Sequence, residues 1–179
     1  ESVENINSFL KIQDYVKDAY KFKAVEQLLK KNKYEILRKI KKEADGEEYE
    51  HLEIIPNEES DELLNKGYVI IDPQTKSILE YKIYTSESHL KNAKTVNILI
   101  AKVRLDEQLI WSKFKNINNQ YILTYNKKQA RVHIKMGKEM DHDFDFTSDL
   151  FVYEFKNNVS IPKNGYNKNT LFQAGNSFT

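Results

Sequence analysis

The run from Lys66 to Thr85, KGYVIIDPQTKSILEYKIYT, constrains the fold more than any other part of the chain, because it joins two β-rich segments through a polar turn. Tyr68, Val69, Ile70 and Ile71 precede the turn, and Ile78, Leu79, Tyr81, Ile83 and Tyr84 follow it. These residue types suit a pleated, half-buried surface. Between them, the Asp72 side chain can accept a hydrogen bond from backbone two residues ahead, and Pro73 presets φ for a turn position. Gln74, Thr75 and Lys76 add no apolar surface. The pattern predicts a β-hairpin and carries no chemistry.

The same period of two recurs along most of the chain. Tyr34 and Ile36 open one run, and Tyr49, His51 or Leu52, Ile54 and Ile55 form its partner, with Ala44-Asp45-Gly46 as the turn. Glu58 to Leu64 is expected to make one helical turn ending at Gly67. Val96, Ile98 and Ile100 alternate with their neighbours, and Val103 and Leu105 follow on the other parity, which predicts a bulge or a change of face. A helix over Ser88 to Lys115 competes with this reading, but the β-branched residues from Thr95 to Val103 favour strands. Trp111–Lys115 and Gln120–Tyr125 flank the polar turn KNINN. Gln129 to Met136 alternates most regularly, Ala130, Val132, Ile134 and Met136 against Arg131, His133 and Lys135, which predicts a sheet with one wet face. One or two more strands are expected between Phe144 and Phe155, and a loop-rich tail over residues 157–179.

Residues 2–31 follow a different period. Val3, Ile6, Phe9, Leu10, Ile12, Val16, Ala19 and Tyr20 fall close to one helical stripe, with Ser2 as N-cap; Val25, Leu28 and Leu29 continue it after Phe22 as a second helix, and Asn32 is a stop. The organisation expected is α+β in a single domain, 1–179: a helical arm over 2–31, an antiparallel sheet over 33–156, then the tail.

Composition narrows the function. The 28 basic and 27 acidic side chains nearly cancel, so no global field recruits nucleic acid or an anionic membrane. With no cysteine among the 179 residues there is no disulfide, no zinc–thiolate site and no thiol catalysis. No apolar run approaches the roughly 20 residues that a membrane-spanning helix needs, so no transmembrane segment is expected in this fragment. Because Glu1 is not an initiator methionine, a removed signal sequence or a preceding domain is expected upstream.

The sequence contains no Gly-rich phosphate loop, HExxH or GxSxG motif, and carries three weaker features. In DHDFDF, strand geometry puts Asp141, Asp143 and Asp145 on one face and His142, Phe144 and Phe146 on the other. Three carboxylates suit a hard cation, yet along a strand they are spaced instead of converging, and a solvated acidic edge is the simpler reading. His51, His89, His133 and His142 are isolated in sequence and read as solvent-facing or ordinary strand histidines. Aromatic residues interleave with lysine in WSKFKN and YNKKQ, as in stacking platforms for single strands, but near-neutral charge argues against a nucleic-acid partner.

The order of the runs also carries a likeness. NKYEILRKIKKEADGEEYEHLEIIPNEE, LLNKGYVIIDPQTKSILEYKIY, FKNINNQYILTYNKKQARVHI and FDFTSDLFVYEF resemble, in that order, a Bacteroidetes envelope family. Its members often carry an N-terminal carboxypeptidase-regulatory-like or TonB-plug-like domain. Gly67, Tyr68, Ile70, Ile71 and Asp72 hold the places of its G-Y-I-x-I-D strand, Tyr121, Leu123 and Tyr125 those of its x-Y-x-L-x-Y run, and Phe144, Ser148, Leu150 and Val152 those of the last strand. The resemblance spans most of residues 33–156; the regulatory-like domain is absent, and the arm is not part of it. It implies a strongly curved, half-barrel-like antiparallel sheet, similar to lipoprotein carriers, in an exported periplasmic or cell-envelope protein. It brings no catalytic residue, metal or cofactor.

A curved sheet has a concave face that a helix plugs or an apolar ligand occupies. Val69, Ile71, Leu79, Ile83, Trp111, Val132 and Ile134 are the expected lining. The expectation is a non-catalytic envelope module binding a lipid-like ligand or a protein partner there. Two other classes remain: the soluble domain of a minor type IV pilin or pseudopilin, a structural assembly protein, and a metal-dependent hydrolase using Asp141, Asp143 and Asp145.

Overall fold

The computed structural model describes residues 12–29, 33–42 and 46–156. Within them the chain is mostly one open, curled antiparallel sheet of eight strands: β1 (Tyr34–Lys42), β2 (Glu48–Pro56), β3 (Asn65–Ile71), β4 (Ile78–Thr85), β5 (Thr95–Ile98), β6 (Ala101–Ile117), β7 (Gln120–Met136) and β8 (Met140–Phe151). The order is β1-β2-β3-β4-β6-β7-β8, and the short β5 pairs with β6 beyond the end of β4. A 3-10 helix, Glu87–Asn92, connects β4 to β5. Two short helices, α1 (Ile12–Tyr20) and α2 (Lys23–Leu28), precede the sheet. Phe22, at φ 49, separates them in a left-handed conformation, so the predicted stripe is broken into two pieces. The parts of the arm over residues 2–11 and 30–31, and the tail from 157 on, lie outside the described residues.

The hairpin from Lys66 to Thr85 forms as its sequence predicts. Val69 faces Tyr81 and Gly67 faces Ile83 across β3 and β4. At the turn, the Asp72 carboxylate accepts hydrogen bonds from the amides of Gln74 (2.8 Å) and Thr75 (3.2 Å). The turn KNINN closes on Asn118 and Asn119 at φ 52 and 61, the two positive values that a hairpin of matching twist requires. Gly67 is fixed by contact: a Cβ there would lie 2.1 Å from the Lys82 carbonyl oxygen.

Three expectations are corrected. Glu58 to Leu64 forms no helical turn, only turn and bend backbone. Val96 to Leu105 is two strands, because Leu99 takes a left-handed φ of 53 and, with Ile100, turns β5 back onto β6. His89 is neither exposed nor in a strand: it is 1% exposed within the 3-10 helix, its Nε2 bonded to the Asn57 carbonyl (3.0 Å) and its Nδ1 to the Ser88 hydroxyl (3.0 Å). A carbonyl only accepts, so Nε2 carries the proton, and the imidazole ties the 3-10 helix to the segment after β2.

The core lies between the two helices and one face of the sheet. Ala19, Val25 and Leu28 pack against Ile54, Val69, Tyr81, Ile83, Phe114 and Leu123. Phe22 and Tyr20 add edge-on ring contacts to Tyr81 and Phe114 at 6.1 and 5.5 Å between centroids. Ser112 and Asn126, both buried in this layer, satisfy each other through a 2.7 Å hydrogen bond.

Candidate ligand-binding face

The ladder registers fix which side chains share the face that carries the helices. Across β2, β3, β4, β6 and β7 that face holds Ile54, Val69, Tyr81, Ser112 and Asn126. β6 and β7 are 17 residues each, about 55 Å of extended chain, and therefore run well past this group. Along their extension the same face continues apolar. Val96 pairs with Val103, Val103 with Ile134, Leu105 with Val132 and Val132 with Phe144.

Among the described side chains of α1, hydrogen bonds and ion pairs reach β7 at Tyr121, Leu123 and Lys128. The Tyr20 hydroxyl donates to the Tyr121 carbonyl (3.3 Å) and accepts from the Leu123 amide (2.8 Å), and Asp18 pairs with Lys128 (3.5 Å). Beyond Lys128 the apolar side chains are half-buried or exposed; Phe146 is 54% exposed and Val96 58%. None of Val96, Val103, Leu105, Val132, Ile134 and Phe144 belongs to the core cluster. At the far tip, Leu99 and Ile100 are 98% and 80% exposed. Contiguous exposed apolar surface is uncommon on folded domains and makes this face the candidate site.

Of the seven residues expected to line one site, five share this face. Val69 and Ile83 are buried under the helices, and Ile71 packs at the margin of the same core. Val132 and Ile134 lie on the half-buried extension. Leu79 is the extra residue of a bulge, since Ile71 pairs with Ile78 and Ile70 with Glu80; it lines an open cleft of about 1180 Å³ with Ile70, Glu80 and Lys113. Trp111 points to the opposite face, where its Nε1 donates to Glu80 (2.7 Å) and Lys113 and Lys82 lie 4.5 and 5.1 Å from its ring centroid. Val103, Leu105 and Phe144 complete the extension and were not in the expected lining. Their signal was the alternation itself, which needed the strand register to become a surface.

The reverse face of the extension is ionic. Arg131 pairs with Asp145 (2.9 Å) and Glu107 (3.5 Å), His133 meets Asp143 through Nδ1 (2.7 Å) and Asp141 through Nε2 (2.9 Å), and Lys135 pairs with Asp141. Asp141, Asp143 and Asp145 do share one face, as strand geometry predicts, but each is matched across the ladder to Lys135, His133 or Arg131 of β7. The Lys135 hydrogen bond, aided by His133 and against a small burial effect, holds the Asp141 carboxyl below its usual range. Among the described residues no group of three or more His, Asp or Glu side chains is arranged to hold a metal.

Further along this face, burial and then the hydrogen bond to Asp149 push the Tyr125 hydroxyl up to about 12. Burial and the bond to Glu80 push Tyr68 upward in the same way. Such phenols stay protonated and donate; with the lysines above Trp111 they give a self-satisfied polar surface, in which a stacking base would have to displace Lys82 and Lys113.

Comparison with known proteins gives no family, curated protein or solved structure that matches this chain.

Proposed function

We propose that this chain is a non-catalytic module of the cell envelope that holds a lipid-like ligand on the half-buried, apolar extension of its helix-bearing sheet face. One observation carries the reading: Val103, Leu105, Val132, Ile134 and Phe144 form a continuous apolar row on the same face as the core and outside the core cluster. The chemistry of the two faces supports it. The reverse side of the same strands is a ladder of paired polar and charged side chains, so the apolar side is not a consequence of generally greasy strands. On this face the apolar row is interrupted by His142 beside Ile134, and a mostly apolar surface selects by shape and apolar area, which suits an acyl chain.

The half-barrel geometry and the exported, periplasmic location belong to this proposal through the resemblance to Bacteroidetes envelope proteins. In that setting the curl of the sheet wraps an elongated ligand, and no catalytic residue or cofactor is needed.

The test is native mass spectrometry of the purified protein beside a denatured control, with titration of the fluorescent fatty acid cis-parinaric acid. A co-purifying lipid, and saturable probe binding that Val132→Lys abolishes, is the expected result. A bare protein with no saturable binding rejects the reading.

A further inference from the structure

We infer that the outer edge of β1 is a dimerisation edge, on which a second copy of this chain adds its own β1, antiparallel and in a register centred on Arg38. The sheet ends at β1 on one side and at β8 on the other. Among the described residues, β1 pairs with β2 alone. One bond fixes which backbone groups face which way. The Asn57 amide donates to the Lys33 carbonyl (2.9 Å), and the register carries that bonded position on to Glu35, Leu37, Lys39 and Lys41. Tyr34, Ile36, Arg38, Ile40 and Lys42 therefore turn their amides and carbonyls outward, a row of groups that is a template for another strand.

The side chains of β1 complement themselves. With Arg38 of one copy opposite Arg38 of the other, Tyr34 meets Lys42, Ile36 meets Ile40 and Glu35 meets Lys41, so the nine residues overlap in full and every outward amide meets an outward carbonyl. Ile36 and Ile40, on the face that carries the helices, are 45% and 64% exposed in a single copy. On the other face, Glu35 and Lys41 are exposed and have no ion-pair partner among the described residues. The remaining cations of the strand are engaged: Arg38 by Glu50 (2.7 Å), Lys39 by Glu53 (3.4 Å) and Lys42 by Glu48 (2.7 Å). One anion and one cation are left over, placed symmetrically about Arg38, and the two-fold pairing brings them together.

β8 lacks this property. Its Asp141, Asp143 and Asp145 are held by Lys135, His133 and Arg131 of β7, and Asp149 lies 3.9 Å from Lys127. Pairing β8 with itself would set carboxylates beside carboxylates. A single strand edge buries less than a standard interface, so the dimer expected is a weak one. It does not touch the extension of β6, β7 and β8, and so is independent of the ligand reading.

Sedimentation velocity of the purified chain over a range of concentrations is expected to show a monomer–dimer equilibrium. Glu35→Lys and Lys41→Glu each set like charges opposite one another and are each expected to weaken the dimer about tenfold, with an unchanged circular dichroism spectrum. The double variant restores opposite charges and is expected to return to within about twofold of the native affinity. Ile40→Pro removes an outward amide without removing a bond to β2, and is expected to abolish the dimer.

A chain that is monomeric at every concentration overturns the inference. Growth beyond the dimer also overturns it and would assign the edge to β8 of a further copy. A dimer indifferent to the single charge variants, or not recovered by the double one, overturns it as well. If the dimer behaves as expected and neither the native chain nor any variant binds parinaric acid, the dimer stands and the ligand reading falls. If all bind the probe and none dimerises, the ligand reading stands alone.

Discussion

The two halves of one sheet face have the same residue types and opposite surroundings. Under α1 and α2, Val69, Tyr81, Ile83 and Leu123 are at most 2% exposed, and the layer tolerates no extra atom at Gly67. On the extension, Leu105, Val132 and Phe144 alternate in the same way and remain half-buried. Composition does not separate the halves; depth of burial does. The lesson is that apolar alternation in a strand reports that a face will be covered, and is silent about whether the cover is core, arm or ligand.

The sharpest way to break the comparison is at its most crowded point. Gly67→Ala would place a methyl against the Lys82 carbonyl in a central strand and is expected to cost about 3 kcal/mol or more, read from denaturant unfolding. A marginal effect would mean that the covered half is no better packed than the extension. Next comes a matched pair. Leu123→Ala, at a fully buried site, is expected to cost about 3 kcal/mol, and Leu105→Ala, half-buried on the extension, about 1 kcal/mol. If chemical denaturation gives equal losses, the extension is as deeply covered as the core.

Leu99→Gly probes the tip. A left-handed leucine is strained, so this variant is expected to be more stable by about 0.5 kcal/mol while removing a 98% exposed apolar side chain. A lower melting temperature would show instead that Leu99 is packed in solution.

The smallest expected effect concerns the reverse face. The Asp141 carboxyl is held below its ordinary 3.8 by Lys135 first and His133 after it. A depressed carboxylate stabilises the folded state at pH values above the unfolded value, and that contribution disappears as pH falls through the folded one. The melting-temperature advantage of the native chain over Asp141→Asn is thus expected near pH 6 and gone well below 3.8. An advantage that persists into strong acid would mean that the ladder owes nothing to the ionised carboxylate.

Much of the sheet was legible because its strands have one wet face, so period two marks them from Tyr34 to Phe151. What was hidden were the places where that period slips. Val103, Leu105 and Trp111 have the same parity in sequence, but the bulge between Leu105 and Glu107 inserts Asp106 and turns Trp111 to the ionic face. Leu79 leaves the face of Tyr81 and Ile83 by the bulge opposite Ile70 and Ile71. The turn at Leu99 and Ile100 contains no glycine, asparagine or proline, so no local chemistry announces it. Val132 and Ile134 were identifiable from their own strand; their partners Leu105 and Val103 lie across a register that only the folded ladder fixes.

The connection between Tyr20 and Leu123 has a consequence for how the chain is made. Most strands pair with a neighbour close in sequence, whereas this bond spans 103 residues. At ordinary translation speeds, on the order of 5–20 s pass between synthesis of α1 and synthesis of the strand that receives it. During that interval the helix has no sheet of its own to lie on. Lys17 and Lys21 are exposed in the finished protein, so the outer side of this segment is charged with or without the sheet beneath it.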